Sequence, residues 1–154
     1  MIKETRTLTA LVENKAGVLN RIASLFRRRR FNIESLTVGH SEKPNLSRMT
    51  IVVEKNTNIN QVFRQMYKIV EVIKIKKLDE SKAIVRDLAL IRVKNYPQLA
   101  AIVRKFEGKI ANKNDKSTTI EISGTPEKIN NFLETVRKSK ILEVARSGVT
   151  AVAG

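Results

Sequence analysis

One pattern of apolar and polar positions runs along this chain twice. In the first pass, residues 7–12 alternate as a strand does, with Leu8, Ala10 and Val12 on one face. Asn14-Lys15-Ala16-Gly17 reads as a turn, after which Val18, Ile22, Leu25 and Phe26 recur at helical spacing. Extended segments follow at 32–40 and 48–54, joined through Ser41-Glu42-Lys43-Pro44-Asn45. Ile59, Val62, Phe63, Met66 and Val70 then mark a second helix with Asn58 as its N-cap, and Ile73 and Ile75 alternate with Lys74 and Lys76 in a last strand.

The second pass has the same order. Residues 88–93 read as a strand, and Pro97 suits a first helical turn followed by Leu99, Ile102, Val103 and Phe106 along one side. Gly108 stands where that helix should stop. Residues 109–113 and 118–123 form a hairpin pattern around Asn114-Asp115-Lys116. Thr125-Pro126-Glu127 combines a capping hydroxyl, a proline at the first helical position and an acid near the positive end of the dipole. Ile129, Phe132, Leu133 and Val136 continue that helix, and 141–147 closes the set. The pattern predicts an α+β chain of two ferredoxin-like β-α-β-β-α-β modules, 1–78 and 84–154, joined by a short charged linker.

Composition narrows the chemistry. The 154 residues hold 42% hydrophobic positions, enough for packed cores. No cysteine is present and the one histidine is His40, so thiolate chemistry and multi-imidazole metal sites are excluded within a chain. No strand–GxGxxG–helix unit, phosphate loop or recognisable carboxylate pair occurs either, so the expectation is a chain that is not itself an enzyme. No apolar run reaches the roughly 20 residues of a membrane helix. The start, Met1-Ile2-Lys3-Glu4-Thr5-Arg6, lacks a signal-peptide core, so the expected location is cytoplasmic. The net charge of +15, from 30 Lys+Arg against 15 Asp+Glu, is spread over both halves. It is compatible with an acidic protein partner, a nonspecific basic surface, or nucleic acid.

The stretch from Glu13 to Leu19 leaves the first strand and enters the first helix. Backbone N–H groups at a helix start are unpaired and sit at the positive end of the dipole, so they can hold a carboxylate. Gly17 would permit close approach and Asn14 adds a donor and an acceptor. The same residues would also serve merely to shape a β–α turn.

These residues carry a resemblance. Glu13-Asn14-Lys15-Ala16-Gly17-Val18-Leu19-Asn20-Arg21 is similar to the E-N-x-x-G-x-L-x-R signature of small-molecule-sensing ACT domains. Phe31-Asn32-Ile33-Glu34-Ser35-Leu36-Thr37-Val38, the run Leu46-Ser47-Arg48-Met49-Thr50-Ile51, and Glu143-Val144-Ala145-Arg146-Ser147-Gly148 resemble the small regulatory subunits of acetolactate (acetohydroxyacid) synthase. The resemblance implies an N-terminal ACT domain that pairs with a second copy and binds valine or a related branched-chain amino acid between the copies. It also implies docking on a separate catalytic subunit carrying thiamine diphosphate, Mg²⁺ and FAD, with no cofactor on this chain, and activation and feedback control of that subunit. The implied effector residues are Asn14, Ala16, Gly17, Val18 and Asn20 in the loop and helix start. Asn32 is added from across the dimer, and Leu11 and Val38 lie beneath the effector side chain.

Three positions depart from the family pattern. Asn20 replaces a small hydroxyl residue, Gly39 an alanine, and Arg30 a glycine expected to end the helix with positive φ. Two rival readings are a basic ferredoxin-like nucleic-acid binder and an ACT sensor serving another amino-acid enzyme. Against the first, aromatic residues are only 5% and Phe26, Phe63, Phe106 and Phe132 all lie on apolar helix stripes.

Overall fold

Each apolar stripe becomes an element packed on a sheet, and the two runs of the pattern become two units. In the computed structural model, residues 4–154 are described; Met1–Lys3, at the start of the expected first domain, lie outside them. One unit comprises the described residues up to Ile84 together with Val149–Gly154, and the other comprises Val85–Gly148.

The first unit contains β1 (Thr5–Glu13), α1 (Val18–Arg28), β2 (Ile33–His40), β3 (Leu46–Glu54), α2 (Ile59–Met66) and β4 (Val72–Lys77). Its antiparallel sheet has the order β2-β3-β1-β4. Leu8, Ala10 and Val12 of β1 and Met49, Ile51 and Val53 of β3 meet Ile22, Leu25 and Phe26 of α1 and Val62 and Met66 of α2 in one core. Asn58 caps α2, its side chain accepting from the Gln61 N–H at 3.1 Å.

The sequence pattern extended the second helix to Val70, but α2 stops at Met66 and Val70 is 88% exposed. Ile69 packs on the core instead. The register of β1 against β4 also slips, so Val12 pairs with Val72 while Leu11 pairs with Lys74. Ile73 becomes the extra residue of a bulge and faces outward, leaving its expected place to Val72.

The other face of this sheet, expected to be bare in a two-layer module, is also buried at Thr7, Thr9, Leu11, Thr50 and Val52. The cover includes β9 (Thr150–Val152). The Val149 N–H donates to Ser35 Oγ at 2.8 Å, Thr37 Oγ1 donates to the Val149 carbonyl at 2.7 Å, and the Ala151 N–H donates to Thr50 Oγ1 at 3.3 Å. Residues 149–154, expected in the second domain, are therefore grouped with the first unit, where serine and threonine hydroxyls make these three hydrogen bonds to them.

The second unit uses β5 (Ile84–Lys94), α3 (Leu99–Lys105), β6 (Lys109–Lys113), β7 (Ser117–Gly124), α4 (Pro126–Val136) and β8 (Ile141–Arg146) in the matching order β6-β7-β5-β8. Ala89, Ile91, Val93, Ile120 and Ile122 meet Val103, Ile129, Phe132 and Val136 in its core. Thr125 caps α4 as expected, accepting from the Lys128 N–H at 3.2 Å with Pro126 in the first turn. Arg146 and Ser147, from the third sequence motif, hold the buried Asp87. Arg146 Nε and Nη2 reach Asp87 Oδ2 at 2.9 and 2.5 Å, and Ser147 Oγ reaches Oδ1 at 3.2 Å. That motif is thus a charge-satisfying clamp within the second unit.

Both first helices end alike. Arg30 has φ +56, and the Phe31 N–H bonds back to the Phe26 carbonyl at 3.0 Å. The expected glycine conformation is present with arginine in it. In the second unit Glu107, also at φ +56, holds that place, and the Gly108 N–H returns to the Val103 carbonyl at 2.8 Å. Gly108 itself answers a packing need, since a Cβ there would lie 3.3 Å from both Ile120 and Val103 side chains.

Candidate functional site

The β1–α1 loop is anchored at its start and open at its end. The Glu13 N–H donates to the Glu71 carbonyl at 2.8 Å and the Asn14 N–H to the Asn45 carbonyl at 2.8 Å. These bonds fix where β1 stops. Asn14, Lys15, Ala16 and Gly17 are exposed. Gly17 is the N-cap of α1 with φ +85, so the helix start has no capping side chain, and its first turn carries no acid. Among the described residues no acceptor meets the N–H groups of Ala16 and Gly17, and the Asn14 amide makes no hydrogen bond. The Val18 N–H makes a long 3.4 Å bond to the Lys15 carbonyl. The open donors are therefore those of Ala16, Gly17 and the following turn.

Two charged neighbours lie outside the expected effector residues, although Arg21 closes the E-N-x-x-G-x-L-x-R signature. Arg21 lies one turn beyond Gly17, with Nη1 3.5 Å from where a Gly17 Cβ would stand. Its other guanidinium nitrogen pairs with Glu71, the residue that also anchors Glu13. The signature contains Arg21, whereas Glu71 is fifty residues distant and left no local signal. In the adjacent β2–β3 turn, its own backbone N–H and the Arg48 guanidinium hold the Glu42 carboxyl below its ordinary pKa.

Of the remaining expected residues, Asn20 stays beside this loop, while Asn32, Leu11 and Val38 do not gather around it within one chain. Asn20 is exposed on α1 near its start. Asn32 lies at the opposite end of the sheet, where Nδ2 donates to Glu54 Oε1 at 2.9 Å. Leu11, 9% exposed, is on the sheet face covered by β9, because it pairs with Arg48 and alternates with the core residues Ala10 and Val12. Val38 pairs with Met49 on the helix-side face of the edge strand β2 and is 46% exposed. Leu11 and Val38 thus sit on opposite faces of the sheet and cannot line one surface in a single protomer. Gly39 needs no special space, since a Cβ there meets nothing within 4 Å.

The matching loop of the second unit is closed. Asn95 follows β5 as Asn14 follows β1, and its N–H likewise donates across to the facing hairpin, at the Lys116 carbonyl. Here, however, Asn95 Oδ1 accepts from Thr118 Oγ1 at 2.6 Å and Nδ2 donates to the Asn114 carbonyl at 2.7 Å. Tyr96 packs on the core where Lys15 is exposed, and Pro97, with no N–H, stands at the place of Ala16.

A model described as an acetolactate synthase small subunit-like ACT domain matches residues 8–74, and one described as the small subunit of acetolactate synthase matches 86–154. An acetolactate synthase small subunit from Mycolicibacterium smegmatis is 43% identical over 96% of this chain and 90% of its own length. The chain belongs to the acetolactate synthase small-subunit family. A probable small subunit from Archaeoglobus fulgidus is 44% identical over 95% of this chain and 94% of its own length. The crystal structure of the Thermotoga maritima small subunit superposes with a TM-score of 0.91 at 36% identity, covering 98% of each chain. Membership carries the two ferredoxin-like modules and agrees with a chain that is not itself an enzyme. No helix among the described residues is long and apolar enough to cross a membrane.

Proposed function

We propose that this chain is the regulatory subunit of an acetolactate synthase and that its N-terminal module senses a branched-chain amino acid, valine or a relative, for feedback control. The observation that carries the reading is the open β1–α1 loop. Uncapped N–H groups, a glycine N-cap and the unpaired Asn14 amide are together at the positive end of α1. A carboxylate bound there would satisfy donors that the chain leaves to water.

The site is completed by a second copy. Edge strand β4 presents Lys74, Lys76 and Lys77, which discourage edge pairing. Edge strand β2 has Glu34 as its one acid and no Lys or Arg. Antiparallel pairing of two β2 edges sets the end holding Asn32 beside the partner's end holding residues 14–18. That arrangement is how Asn32 would reach an effector that it cannot reach at home. Effector binding that favours one dimer arrangement then biases a docked catalytic subunit, which carries thiamine diphosphate, Mg²⁺ and FAD in this reading.

The test is to mix the chain with the catalytic subunit and follow acetolactate formation with and without each branched-chain amino acid. Stimulation by the chain, reversed by an effector, is expected. No change in rate on adding the chain would overturn the assignment. By reciprocity, the catalytic subunit should alter effector affinity by the same factor that the effector alters docking.

A further inference from the structure

The C-terminal end of α1 carries Arg27, Arg28, Arg29 and Arg30, all exposed, and none forms an ion pair among the described residues. Elsewhere the chain does use its cations internally, as in Arg92–Glu143 at 2.8 Å and Arg146–Asp87. Cations in the last turn complement the helix dipole, which accounts for one or two of the four.

The second unit supplies a control for the strained position. Glu107 occupies the same left-handed place as Arg30, so strain alone marks neither. Glu107 faces Lys128 at 3.4 Å, however, whereas among the described residues the Arg30 charge has no such counterpart. The difference is an uncompensated guanidinium cluster, not a backbone oddity.

Its shape and surroundings select among anionic partners. Arg27 and Arg28, successive in the last helical turn, diverge by about 100°, and Arg29 at the C-cap and Arg30 at φ +56 leave the helical path, so the four charges do not line one groove. The nearest rings serve the core, Phe26 being buried and the partly buried Phe31 packed edge-on to it at 5.6 Å, so no row of exposed rings stands beside the arginines as a base-stacking platform would need. Guanidinium forks pair well with carboxylates and lose less on desolvation than ammonium groups. The geometry points to the end of α1 as a docking surface for a carboxylate-rich face of the catalytic subunit. This rests on the reading above that such a subunit is the partner.

The experiment measures binding of the full chain to the catalytic subunit over about 50–500 mM salt, a range that spans the screening of exposed charges. The test variant combines Arg27→Gln, Arg28→Gln, Arg29→Gln and Arg30→Gly, the glycine suiting the left-handed φ so that folding is preserved. A control variant removes the same charge elsewhere through Lys109→Gln, Lys113→Gln, Lys116→Gln and Lys140→Gln. The test variant should bind about tenfold more weakly at low salt, converge with wild type at high salt, and keep its self-association and valine affinity. The control should bind within about twofold of wild type. The docking surface is overturned if the test variant matches wild type, if the control loses as much, or if the test variant instead falls to monomers. It is equally overturned if a 20-nucleotide RNA binds wild type more tightly than the catalytic subunit does. Wild type that binds no catalytic subunit at any salt removes the regulatory reading as well, which separates the two failures.

Discussion

The two β–α loops share one backbone plan and have opposite fates. In each, an asparagine follows the first strand and its N–H reaches across to the facing hairpin, 2.8 Å for Asn14 and 3.1 Å for Asn95. Beyond that bond they diverge. The second unit turns the asparagine amide inward to Thr118 and Asn114, packs Tyr96 on the core and removes an N–H with Pro97. The first leaves Asn14 unpaired, Lys15 exposed and a glycine at the helix start. A loop that only shaped a turn would be expected to engage its asparagine amide locally, as the second does. The first gives up that local satisfaction, and a ligand carboxylate is what its geometry would accommodate.

The comparison is broken most sharply by Gly17→Asp. An added carboxylate beside the open donors should weaken valine binding by roughly 2–3 kcal/mol, on the order of a hundredfold, with the fold retained by circular dichroism. Unchanged valine affinity in calorimetry would mean that the loop is not the site.

A paired experiment sharpens it. Asn95→Ala strands the buried Thr118 hydroxyl and should lower unfolding free energy by about 1–3 kcal/mol, leaving effector affinity unaltered. Asn14→Ala should do the reverse, costing under about 0.5 kcal/mol of stability while weakening the effector. Chemical denaturation and calorimetry on both variants would contradict the account if the two asparagines behaved alike.

Smaller effects concern the backbone. Arg30→Gly should stabilise the first unit by about 1 kcal/mol, since the φ of +56 suits glycine. Gly39→Ala, at an open position in β2, should add about 0.5 kcal/mol. A loss of denaturation midpoint in either variant would show that the local conformations are misjudged.

Much of the fold was legible because its signals are local. Apolar periods placed the four helices and most strands, and the Asn58 and Thr125 caps were readable from one residue type before a stripe. What escaped depends on distant partners. The outward turn of Ile73 follows from a register slip between β1 and β4 that no window around residue 73 contains. Residues 149–154 look like the end of the second repeat, yet hydroxyls of Ser35, Thr37 and Thr50, about a hundred positions earlier, hold them.

The candidate site divides in the same way. Asn14, Ala16, Gly17, Val18 and Asn20 all fall within residues 14–20, so the loop was visible as a unit. The opposed faces of Leu11 and Val38 become evident only once β3 is set between β1 and β2. The Arg21–Glu71 pair likewise joins residues that the chain alone does not associate.

The most direct measurement is a valine titration of the isotopically labelled chain followed by backbone amide resonances. The account predicts that amides of Ala16, Gly17, Leu19 and Asn20 shift together with saturation, while those of Tyr96, Gln98 and Ala100 stay fixed. Movement at the second loop with a silent first loop would contradict it.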